Sequence, residues 1–153
     1  MIVQLAEMAA RIRAADPPPS GALRVTPYLI VDHGAAAIDW YREVFGAEEV
    51  VRWTGAAGRI AHAELRIGLS SIFMGDEHPH LEEIVAPPRL GGTPVYLDIE
   101  TDEVAALFDR AIAAGATPIR PPTDPQLEVQ SAKVRDPFGH VWLITCSGGG
   151  QTA

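Results

Sequence analysis

Cysteine is almost absent from this 153-residue chain: Cys146 stands alone, which excludes an internal disulfide and any multi-cysteine zinc site. Lysine is as scarce, with Lys133 the single example, and the arginines are scattered from Arg11 to Arg135 with no basic run. Twelve cations against twenty carboxylates leave a formal charge of −8. Sequence-independent nucleic-acid affinity is carried by Lys and Arg neutralising phosphates, so this balance argues against a nucleic-acid partner and for a small molecule. No apolar run approaches the roughly 20 residues needed to cross a bilayer, and the N-terminus lacks the basic-then-apolar pattern of a secretory signal. The expectation is a cytoplasmic protein with no membrane partner. Aromatics make up only 7% of the chain although 47% is apolar, and 23 alanines account for much of the difference. Alanine favours helix but adds little buried area, so tightly packed, small-faced helices are expected. What remains is one ordinary domain, long enough to bury roughly 70% of its unfolded surface and form a core without disulfide or metal.

Along the chain, residues 1–22 read as an appendage. Ile2, Leu5, Met8, Ala9 and Ile12 recur at steps of three and four, a helical pattern that Pro17, Pro18 and Pro19 stop. Two readings stand side by side: a helix covering an apolar surface of its own chain or of a second subunit, and a frayed tail. Residues 23–147 form the domain, and residues 148–153, beginning with three glycines, form a flexible tail. Gly148–Gly150 are no phosphate loop, because no strand-to-helix context follows them.

Within the domain, Arg24–Val31 reads as a strand, Ala35–Phe45 as a helix stopped by Gly46, and Glu49–Trp53, Arg59–Ile67 and Ser70–Met74 as strands. Residues 76–92 carry no clean period and read as a connector. The pattern then restarts with a strand at Val95–Ile99, a helix at Asp102–Ala114 stopped by Gly115, and strands at Thr117–Arg120, Val129–Arg135 and Val141–Thr145. An offset of 69 residues carries Gly46 onto Gly115, Ile38 onto Leu107 and Ile60 onto Val129. Two copies of one βαβββ unit follow, module one at about 24–75 and module two at about 93–146. Two copies are too few for a solenoid, so the fold class is α+β: two tandem βαβββ modules forming a cupped mixed sheet with helices outside.

Strand alternation assigns the faces. Ala61, Ala63, Leu65 and Ile67 alternate with His62, Glu64 and Arg66; Val95, Leu97 and Ile99 with Tyr96, Asp98 and Glu100; Val25, Leu29 and Val31 with Thr26, Tyr28 and Ile30. The polar sets are expected to converge on the concave face, in a pocket holding His62, Glu64, Arg66, Tyr96, Asp98, Thr26 and Tyr28. Trp53 and Tyr28 are the aromatics expected nearest a ligand, whereas Trp40, Phe45, Phe108 and Trp142 read as core.

These segments resemble a known family. VTPYLIVDHGAAAIDWYREVFGAEE, GRIAHAELRIG, LGGTPVYL, AIAAGA and above all DPFGHVW, in this order and spacing, look like the vicinal oxygen chelate superfamily of glyoxalase, bleomycin resistance and dioxygenase proteins, with most similarity to its PhnB-like branch. The resemblance spans about residues 24–146 and implies paired βαβββ modules, commonly in a homodimer. It also implies a divalent metal held by His and Glu side chains on four strands, a set that suits Zn, Ni, Fe or Mn. Carried over singly, those positions fall near Thr26, on Glu64, at or near Tyr96 and on Leu143. Only Glu64 is a competent ligand, so no metal cofactor is expected, with a divalent metal as the alternative. Where PhnB-like relatives tend to carry a Gly-Asp-Arg run before DPFGH, this chain has Glu128, Val129 and Gln130, which implies a different ligand.

Each chemical reading has a plainer competitor. His62 and Glu64 share one strand face and would suit a carboxylate-assisted acid/base pair; a solvated strand face with Arg66 neutralising Glu64 is the alternative. The run Asp76, Glu77, His78, His80, Glu82, Glu83 is rich in ligand atoms but lacks an i, i+4 His pair, and reads as a connector with solvated charges. DPFGH reads as a turn, with His140 packing at the start of the last strand. Cys146 has no visible setting that would make it a nucleophile. The leading expectation is a protein binding a small organic molecule in its cup, lined by Thr26, Tyr28, Trp53, His62, Glu64, Tyr96, Asp98 and Leu143. The alternatives are a lyase, isomerase or dioxygenase of the same superfamily using Glu64 with His62 as acid and base, and a structural or regulatory dimer with a plugged cup.

Overall fold

The computed structural model of the chain describes residues 19–78, 80–81, 84–123 and 130–146. The helical pattern at 2–15, Pro17 and Pro18 of the linker, Glu82, Glu83, Glu128, Val129 and the 148–153 tail lie outside them. Module one runs β1 (Tyr28–Val31), α1 (Gly34–Phe45), β2 (Glu48–Thr54), β3 (Ile60–Ile67) and β4 (Ser70–Asp76). After a one-turn helix α2 (Pro87–Leu90), module two runs β5 (Tyr96–Glu100), α3 (Val104–Ala113), β6 (Thr117–Arg120), β7 (Ser131–Arg135) and β8 (Val141–Thr145). Each module makes its own four-stranded mixed sheet, in the orders β1-β4-β3-β2 and β5-β8-β7-β6. In each, the first strand runs parallel to the last and the other pairs are antiparallel. The α+β class and the duplicated βαβββ unit read from the 69-residue offset are therefore the observed ones.

Helix α1 buries Ala37, Ile38, Tyr41 and Val44, the i, i+1, i+4, i+7 stripe of an amphipathic helix. Gly46 ends it in the left-handed region (φ 65°) and returns its N–H to the Arg42 carbonyl, a conformation that costs glycine nothing. Helix α3 buries Val104, Leu107, Phe108 and Ala111 in the same way. The helices also hold each other's ends. Trp40 Nε1 donates to the Ala114 carbonyl at 2.9 Å, and Arg110 Nε donates to the Val44 carbonyl at 2.7 Å, a cation at the negative end of α1.

Asp136 forms the junction of the modules. Only 3% exposed, its carboxylate accepts four hydrogen bonds: from the N–H groups of Phe138 and His140 through Oδ1, and from Tyr41 Oη and Trp142 Nε1 through Oδ2. Burying an isolated carboxylate is prohibitive; four donors offset that cost and fix the turn, helix α1 and strand β8 against one another. The DPFGH segment is thus the expected turn and also a clamp. His140 Nε2 donates to the Ile30 carbonyl at 2.9 Å, a further tie between modules.

Most element boundaries shift by a residue or two from the sequence reading, and three larger differences have a physical reason. β1 starts at Tyr28, not Arg24, because Pro27 has no N–H for the ladder and Leu23 and Val25 are more than 90% exposed, with no core to face. β4 extends to Asp76, and α2 interrupts the expected connector, with prolines at its start and Gly91 (φ 80°) closing it. The charges there are not simply solvated: Asp76 accepts the N–H groups of Gly34 and Ile60, both at 2.6 Å, and Glu77 accepts from Ala86 N and Arg89.

Candidate functional site

β3 presents Ala63 and Leu65 to the core, so His62 and Glu64 stand on the face of the first sheet turned away from that core. Register assembles their neighbours: Trp53 lies opposite His62, and Phe73 is paired with both Glu64 and Tyr28. His62 is the centre of this bay. It is 4% exposed, with no helix among the described residues packed on its face, and three rings close over it: Trp53, Phe73 and Tyr28, with centroids 4.9, 5.4 and 5.6 Å away. Its two nitrogens link two further groups, Nδ1 lying 3.1 Å from Tyr28 Oη and Nε2 lying 3.3 Å from Glu64 Oε1. Burial raises the Tyr28 phenol above its ordinary range, so the hydroxyl keeps its proton. Gly75 makes room for this chain: a Cβ there would sit 3.1 Å from Tyr28 Oη and 3.2 Å from the Ala61 carbonyl.

The second sheet offers a corresponding outer face. Asp98, Leu143 and Lys133 lie side by side across β5, β8 and β7. Lys133 Nζ sits 4.1 Å from the centroid of the Tyr96 ring, and Thr145 Oγ1 donates to Asp98 at 2.9 Å. Lys133 was not among the residues singled out from sequence, yet the signal was present, since the 69-residue offset places the chain's one lysine on Glu64. The two modules thus present opposite charges at equivalent positions.

The sequence-predicted site residues fall into three places. Tyr28, Trp53, His62 and Glu64 form the bay on the first sheet. Tyr96, Asp98 and Leu143 lie on the second sheet. Thr26, together with Tyr96 and Asp98, lines a groove of about 1020 Å³ between the segment leading into β1, the β3–β4 turn and β5. No hydrogen bond, ion pair or ring contact among the described residues joins the bay to Tyr96, Asp98 or Leu143. Within one chain the expected single pocket is therefore not assembled, because the modules meet through α1, α3 and the Asp136 turn and not through these faces. Arg66 does not neutralise Glu64 either; it pairs with Glu48 at the exposed end of the strand, and Glu64 is met by His62.

The donors do not fit a four-ligand metal set. Leu143 has no ligand atom, Glu64 already accepts from His62, and Thr26 lies in the groove. Among the described residues no group of three or more His, Cys, Asp or Glu side chains is placed to hold a metal ion.

With this arrangement in view, comparison with known proteins decides the family. The profile of the Glyoxalase/Bleomycin resistance protein/Dioxygenase superfamily matches residues 22–144. The chain belongs to this superfamily. An uncharacterized protein of Mycobacterium bovis is 38% identical over 122 residues, covering 78% of this chain and 80% of that protein. Among solved structures of the glyoxalase fold, TioX from Micromonospora sp. ML1 superposes with a TM-score of 0.60 at 26% identity, covering 85% of this chain and 100% of that one. A PhnB protein from Bacillus cereus has a TM-score of 0.60 at 19% identity, covering 81% and 99%, and is similar in fold alone. As for membranes, no helix among the described residues is long and apolar enough to cross one.

Proposed function

We propose that this glyoxalase-superfamily protein binds a small organic molecule against the outer faces of its sheets, as a PhnB-like or bleomycin-resistance-like binding protein, without the divalent metal of the family. The observation that carries the reading is the bay around His62. Three aromatic side chains and a hydrogen-bonded Tyr28–His62–Glu64 chain lie on a sheet face that no helix among the described residues covers, and apolar walls with a few placed polar groups are what a small-molecule site requires. The cup is completed by a second copy. The first-sheet face of one protomer meets the second-sheet face of its partner, so that Tyr96, Asp98, Lys133 and Leu143 of one chain stand over Tyr28, Trp53, His62 and Glu64 of the other. Screening tag-free protein against a chemically diverse library by thermal shift tests this: ligands raise Tm in the wild type and not in Trp53→Ala. Stoichiometric Zn, Ni, Fe or Mn in the purified protein would overturn the metal-free part.

A second reading is favoured by one feature. The Tyr28–His62–Glu64 chain is also a path for a proton, which suits a lyase or isomerase in which Glu64 and His62 act as acid and base. Turnover of a bound compound, abolished by Glu64→Gln with binding retained, would select it.

A further inference from the structure

We infer that the outer face of the second sheet is an oxyanion site, in which Arg120 and Lys133 hold the carboxylate or phosphoryl group of a small organic anion; the inference names the ligand class for the binding function proposed above and rests on it. Charges on this face are sorted by strand. Asp98 and Glu100 stand on β5, Lys133 and Arg135 on β7 and Arg120 on β6, with the uncharged strand β8 between acids and bases. Asp98 takes the Thr145 hydroxyl, and no carboxylate among the described residues pairs with Arg120, Lys133 or Arg135. Lys133 and Arg120 are register partners, so two like charges stand directly opposite each other, with Arg135 two residues along the same face. Such a cross-strand pair destabilises a sheet, and an anion held between the two charges removes the cost. The backbone is arranged to make this pair. Pro118 stands opposite Val134 and Arg120 opposite Lys133, which leaves Ile119 as the extra residue of a bulge. In a regular ladder Ile119 would face Lys133, and Arg120 would turn inward beside the fully buried Ala132. The bulge therefore re-aims Arg120 to the face that carries Lys133. Donors remain for a ligand. Arg120 gives one N–H to Ser131 Oγ at 2.8 Å, and Lys133 lies over the Tyr96 ring, a contact that uses its charge but none of its three N–H groups. Leu143, paired with Lys133, and the exposed Tyr96 ring offer an apolar body a surface beside the cations. In the two-copy cup Glu64 of the partner subunit is brought to this side. It does not fill the site: its side chain is 13% exposed and already meets His62, and one negative charge against three cations leaves two of them over.

Lys133 is the chain's only lysine, so lysine labelled with ¹³C at Cε gives a single NMR signal in the full-length protein, a direct reporter of the site. The probes are benzoate, phenylphosphonate and benzylammonium, titrated at constant ionic strength so that screening does not vary. The Lys133 signal is expected to move to saturation with an anion and not with benzylammonium, and the tighter of the two anions identifies the oxyanion. Arg120→Gln is expected to weaken that binding by about tenfold or more, read on the Lys133 signal, and Lys133→Met to do the same, read by calorimetry. Unchanged circular dichroism confirms that both variants fold. Glu64→Gln is expected to keep anion binding; binding that appears only in this variant would make the partner's Glu64 the counter-charge and overturn the inference. A Lys133 signal that no anion moves, benzylammonium binding as tightly as the anions, or anion binding indifferent to both cation substitutions overturns it as well. Neutral or cationic library ligands that raise Tm while both anions fail would leave the binding function standing and sink only this inference; no ligand of any class would sink both.

Discussion

Asp136 shows how one side chain turns a local motif into a tertiary anchor. Its two turn contacts, to Phe138 and His140, were readable from DPFGH, since Asx-type turns recur in Asp-Pro-x-Gly segments. Its contacts to Tyr41 and Trp142 span 95 and 6 residues and were not. Asp136→Asn places an NH₂ group where two donors already point, or exchanges that conflict for one with backbone N–H groups. It is expected to cost about 2–4 kcal/mol, read as a lowered midpoint in urea denaturation. Tyr41 gives the alkaline limit. Its phenol is held well above the ordinary value of 10.0 by burial and then by the adjacent Asp136 charge. Above about pH 10 the unfolded chain releases that proton while the folded chain keeps it, so stability is intact below this pH and falls as pH rises through it. Tyr41→Phe removes this proton release and is expected to flatten the decline by up to about 1.4 kcal/mol per pH unit, measured by denaturation between about pH 9 and 11.

Among elements, helix α1 shows what tertiary structure adds to a sequence pattern. Its buried stripe and its Gly46 stop were legible, because both follow from a 3.6-residue period and a local backbone requirement. Its start was not. His33 at the cap position makes no side-chain cap, and the Gly34 N–H is instead satisfied by Asp76, 42 residues away, which also holds Ile60 at the start of β3. A carboxylate beside the positive end of a helix is favoured by the dipole as well. Asp76→Ala is therefore expected to destabilise the fold by about 1–3 kcal/mol, and hydrogen exchange should show the Gly34 and Ile60 amides losing protection first. The connector charges looked alike in sequence because partners so distant leave no mark on local composition.

For the whole molecule, the separation of the two outer faces makes self-association part of the proposed function. Val25 and Leu69 are almost fully exposed at the groove beside β5, where Tyr96 is 57% exposed. A second copy covering this region would bury apolar surface that water otherwise meets. Sedimentation is expected to give twice the 16.4 kDa chain mass at micromolar concentration, and the Val25→Glu, Leu69→Glu double substitution is expected to weaken the dimer at least about tenfold. A wild-type chain that sediments as a monomer and still binds ligand with a Trp53 response would remove the two-copy cup while leaving the bay.

The sequence by itself determined the two βαβββ modules, the place of the helix in each, and the shared outward face of His62 and Glu64. All of these depend on periodicity within a few residues or on a repeat that one offset exposes. Only the tertiary structure decided that Tyr28 and Glu64 take the two nitrogens of His62, that Asp136 clamps the modules, that Lys133 faces Tyr96, and that the two candidate faces stay apart in one chain. Those facts depend on strand register and on how separately folded halves dock. The contacts concerned link residues tens of positions apart, and their free energy resides in geometry that a linear pattern of apolar and polar residues does not encode.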